Sequence, residues 1–81
     1  MLLKEFKHHF ARGDIEGAIA LKPRTAKGYY LLIMSSKWGV NSFLETGRDL
    51  TPRMFMTMSA LINAATAIGL QPHQVEVQHE V

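Results

Sequence analysis

The chain has 81 residues, nine Lys and Arg against seven Asp and Glu, and no cysteine. That length allows one domain, which buries only roughly 60% of the surface its unfolded form exposes, so a partner chain can matter to its stability. The lack of cysteine excludes disulfides, thiolate nucleophiles, iron–sulfur clusters and cysteine-based structural zinc sites.

The first piece, residues 1–22, reads as a helical segment. Leu2, Leu3, Phe6 and Phe10 recur at helical spacing, with Lys4, Glu5, Lys7 and His8 on the other faces. Charge by the fourth residue and the absence of a continuous apolar run argue against a secretory signal, so a cytoplasmic protein is expected. Gly13 breaks the helix, Asp14 is placed to cap a second helical turn, "IEGAIALK", and Pro23 stops it.

A β-hairpin is expected over residues 28–46, with Gly39 at its tip. Its first strand is apolar on both faces: Tyr29, Leu31 and Ile33 point one way, Tyr30, Leu32 and Met34 the other. That pattern describes a central strand covered on both sides. The return strand mixes Asn41, Ser42 and Glu45 with Val40, Phe43 and Leu44, as an edge strand does.

Residues 51–69 read as the long helix, with Thr51 as cap, Pro52 in the first helical position and Gly69 as terminator. Phe55, Met58, Ile62, Ala65 and Ile68 form its core stripe. Its back carries Met56, Thr57, Ala60, Asn63, Ala64 and Ala67, where an ordinary amphipathic helix carries Lys and Glu. Met54 to Leu70 contains no charge, yet this run is at the short limit for a membrane span and includes Thr, Ser and Asn, so no membrane partner is expected. Burial under the N-terminal helix or at an interface explains it better.

In residues 74–81, Val75, Val77 and Val81 alternate with Gln74, Glu76, Gln78 and Glu80, the pattern of a strand with one dry and one wet face. The expected architecture is a single small α+β domain of order αββαβ, a three-stranded sheet packed on a long helix. A right-handed crossover puts the last strand beside the hairpin's first strand and parallel to its second.

No constellation carries catalytic chemistry. His8 and His9 are adjacent on a helix and diverge, and the serines, Asp49 and the isolated glycines match no nucleophile or phosphate-loop pattern. A non-enzymatic protein without metal or cofactor is the expectation. Nucleic acid is a possible partner, because all nine cations precede Met54 and Arg24, Lys27, Lys37, Arg48 and Arg53 flank the hairpin within reach of phosphates. The strand faces themselves carry no Arg or Lys, so phosphate-led binding fits better than base reading. For a protein contact or homodimer the candidates are Trp38, at a turn beside Lys37, and Met56, Ala60, Asn63, Ala64 and Ala67 on the helix back.

Three features between Gly28 and Leu70, the glycine-tipped hairpin, "LETGRDLTPRMF" and "NAATAIGL", together with the short valine strand that follows, resemble a pattern in small accessory proteins of bacterial plasmids and related mobile elements. The resemblance implies an accessory or regulatory role and brings no catalytic residues. The uncharged helix back departs from that pattern. The combined reading is an accessory protein acting through protein contact, with a DNA-binding regulator as the alternative and an inhibitor that binds an enzyme by shape as a third possibility.

Overall fold

The computed structural model describes residues 1–39 and 41–80; Val40 and Val81, which the sequence pattern puts in strands, lie outside them. Helix α1, Leu3–Ala11, begins where the Glu5 carboxylate accepts a hydrogen bond from the Leu2 N–H at 2.8 Å, satisfying one of the donors that a helix start leaves open. It ends at the turn through Gly13.

The next segment departs from the sequence reading. Gly17–Lys22 is a strand, β1, and not a helical turn, and Asp14 turns its carboxylate back toward α1 instead of capping a helix. Gly17 to Ala20 are all buried, because β1 is an interior strand covered on both edges. A short continuous apolar run of this kind has no period that separates it from a helix. Pro23 still ends the element.

Strand β2, Tyr29–Met34, pairs antiparallel with β1, from Gly17 opposite Met34 to Leu21 opposite Tyr30. Strand β3, Ser42–Phe43, is the expected return strand at the edge, but only two residues long. Beside it on the same edge of β2 lies β4, Met54–Phe55, opposite Tyr30 and Tyr29. The long helix is therefore shorter than expected. Helix α2 is Met58–Ile68, and its cap is Thr57, whose hydroxyl accepts from the Ala60 N–H at 3.2 Å. Thr51 and Pro52 precede β4, where Pro52 bridges to Glu45. The backbone of β2 needs partners along its whole outer edge, and Met54 and Phe55 supply them before the helix can start. Gly69 terminates α2 as expected, with φ of +130° and the Phe10 ring lying where a side chain would begin.

After a 3₁₀ turn at Pro72–Gln74 comes β5, Val75–His79, parallel to β1 with Ala18 opposite Val75 and Lys22 opposite His79. The sheet is mixed and five-stranded, ordered β3-β2-β1-β5 with β4 beside β2. The molecule is thus α+β, but the αββαβ order and the three-stranded sheet are corrected. The last strand does run in the direction of β3, since both are antiparallel to β2, yet β1 stands where the sequence reading put a direct pairing.

Both helices lie on one face of the sheet. Ala18 and Ala20 of β1 and Leu31 and Ile33 of β2 share one buried cluster with Phe6 of α1 and Leu61, Ala65 and Ile68 of α2. The alanines allow the helix layer to approach closely. Of the expected helix stripe, Ala65 and Ile68 are buried in α2, Phe55 is buried from β4, and Met58 and Ile62 are half-buried; Leu61 was missed and is fully buried.

Candidate functional site

Side chains alternate across a strand, so the pairing registers fix what occupies the second face of the sheet. Ile19 lies opposite Leu32, Leu32 opposite Phe43, and Leu21 opposite Tyr30. Met34 and Met54 extend the same face. These residues are outside the helix-side cluster, and among the described residues no helix covers them. Ile19, flanked by neighbours on its own face, is buried, while Leu21, Tyr30, Leu32, Met34 and Phe43 are half-buried. The Tyr30 and Phe43 rings meet edge-on at 5.6 Å between centroids. No Lys or Arg lies on these strand positions, and the face becomes polar only at β5, with Glu76 and Gln78. The expectation that β2 is covered on both sides therefore holds on the helix side alone.

The proposed basic residues are dispersed. Arg24 and Lys27 lie between β1 and β2, while Lys37 follows the far end of β2. Those ends are separated by six strand residues, about 17 Å. Lys37 is also engaged: its Nζ donates to Asp14 Oδ1 at 3.0 Å. Arg53 lies over the Phe55 ring, 4.8 Å from its centroid, and Arg48 is exposed in the β3–β4 connection.

The Lys37 contact belongs to a small polar lock. Asp14 is buried, and its Oδ2 lies 3.1 Å from His9 Nδ1 and 3.8 Å from Arg12 Nε. Hydrogen bonds from His9 and Lys37 hold its carboxyl below the ordinary carboxylate range, with the nearby charges of Lys37 and Arg12 adding to that and burial opposing it. The lock ties α1 to the loop after β2. Trp38 sits on the same seam, 6.1 Å from Phe6 and 5.0 Å from His9 between ring centroids. It is half-buried against its own chain.

On α2, Ala64 is half-buried and packed on the core, whereas Ala60, Asn63 and Ala67 are exposed, as is Met56, which lies ahead of the shortened helix, so α1 does not cover the helix back. That surface is uncharged but consists mostly of small side chains, with Met56 at its start 67% exposed. A shallow groove of 380 Å³ between the start of α1 and the segment after β3 is lined by Leu2, Leu3, Leu44 and Arg53 among others. Among the described residues no three His, Asp or Glu side chains are grouped to hold a metal ion, and no helix is long and apolar enough to cross a membrane. Comparison with protein-family models, curated proteins and solved structures finds no match for this chain.

The sequence reading placed Tyr30 and Phe43 in the hairpin strands but did not find the face they share with Ile19, Leu21, Leu32 and Met34. The signal was the two-sided apolar pattern of β2, and its meaning depended on both helices choosing the same side.

Proposed function

We propose that this is a non-enzymatic protein-contact module of the accessory kind implied by its resemblance to small plasmid-encoded proteins, and that the helix-free sheet face is its contact surface. The supporting observation is the apolar row Leu21, Ile19, Tyr30, Leu32 and Phe43, which crosses three strands with no helix over it among the described residues. Contiguous apolar patches of this sort on a small soluble chain mark interaction sites. Aromatic and Met side chains at the centre with charge confined to the rim match the composition of interface cores. The phosphate-led alternative has less support, because Lys37 is held by Asp14 and stands at the opposite end of β2 from Arg24 and Lys27.

Capture of partners from a lysate of the native host at low and high salt tests the reading. The contact surface predicts capture that survives high salt, is lost in Leu32→Lys, and persists when Arg24 and Lys27 are both changed to Glu. Nucleic-acid binding predicts the reverse, with steep loss as salt rises.

A further inference from the structure

Strand β5 closes one end of the sheet and, among the described residues, pairs only with β1. The Glu80 N–H donates to Lys22 O, so the even-numbered residues of this strand turn their backbone groups toward β1. Backbone direction alternates along a strand. Val75, Val77 and His79 therefore turn their backbone groups away from β1; the Val75 N–H donates to Pro72 O at the end of the 3₁₀ turn, and the Val75 C=O with the N–H and C=O of Val77 and His79 forms the row that is a template for another strand. The strand has neither Pro nor Lys to block such pairing, and Val77 is 52% exposed on the helix side of the sheet.

We propose that the occupant of this edge is a second copy of the chain, paired antiparallel about a two-fold axis through Val77. This register joins Val77 to Val77 by two hydrogen bonds and lets each His79 N–H donate to the Val75 C=O of the other copy, four bonds in all, leaving the Val75 N–H to Pro72 O. It sets Glu76 opposite Gln78 twice, with no like charges directly across. The neighbouring registers fail on charge. Centring on Glu76 puts Glu76 against its own copy, and centring on Gln78 puts Glu76 against Glu80. Like charges directly opposite destabilise strand pairing, so the side chains select the Val77 register. The same surface meets itself, as a two-fold interface requires.

The product is one continuous sheet with both helix layers on the same side and the two Val77 side chains in contact between them. On the other side, two apolar faces flank a polar seam of Glu76 and Gln78, which presents the contact surface twice. The edge pairing stands independently of what that surface binds.

Sedimentation of the full chain over a concentration series tests it. With one short strand per copy, a dimer with Kd on the order of micromolar is expected, at the weak end of specific interfaces. Gln78→Lys, which faces Glu76, should tighten it about tenfold, and Gln78→Glu should weaken it by a similar factor. Val77→Pro removes an N–H that the single chain leaves unpaired, so it should abolish dimerisation while circular dichroism shows a folded protein. A monomer at every concentration overturns the proposal. So does a dimer that is indifferent to both Gln78 changes, or one that Ala60→Glu on the helix back dissolves.

Discussion

Asp14 is the residue whose setting has the clearest consequence. Its carboxyl is held below its ordinary value in the folded chain, chiefly by the hydrogen bond with His9 and then by that from Lys37. A depressed folded-state value means that the ion contributes stability above the unfolded value of about 3.9, and that the contribution disappears as pH falls through the lower folded value. Asp14→Asn should therefore lower the thermal midpoint at pH 7 and narrow the difference between variant and parent as the buffer is taken below pH 4. Thermal melts across that range check it. Leu50 makes a second point at this scale: it is 60% exposed and has φ of +54°, which L side chains adopt at a cost. Leu50→Gly relieves that conformation and should stabilise the protein by up to about 1 kcal/mol, read in denaturant unfolding. Nothing in the sequence around Leu50 announces the strain. A leucine before "TPR" reads as an ordinary turn residue; in the fold it sits in the tight turn where its N–H donates to Thr46 O at 3.1 Å and the Thr46 N–H donates to Thr51 O at 2.9 Å.

Among the elements, β2, α1 and the end of α2 were legible because each carries its own signal, alternation in the first, apolar spacing in the second and Gly69 in the third. Strand β1 was not. "GAIAL" has alanines that favour helices and apolar residues at every position, and only its place between β2 and β5 makes it a strand. The start of α2 was missed for a related reason. Thr51-Pro52 satisfies the local rule for a helix start, but Thr57 satisfies it too, and β4 must form between them. The two caps make opposite predictions. Thr57→Ala should cost about 1 kcal/mol, whereas Thr51→Ala should leave unfolding unchanged because no helix begins there.

For the whole molecule, the decisive arrangement is that both helices share one side of a five-stranded sheet. The amino-acid pattern showed that β2 wanted cover on two faces. It did not show that the chain supplies only one layer, because that depends on α1 packing beside α2 instead of across the sheet. The candidate surface was accordingly sought on the helix back and around the hairpin rim. Carbene footprinting of the isolated protein, read residue by residue along β2, measures this arrangement most directly. The account predicts alternation: Tyr30, Leu32 and Met34 labelled, Leu31 and Ile33 protected. Equal protection of both sets would mean that the second face is already covered, and would contradict the contact surface on which the proposed function depends.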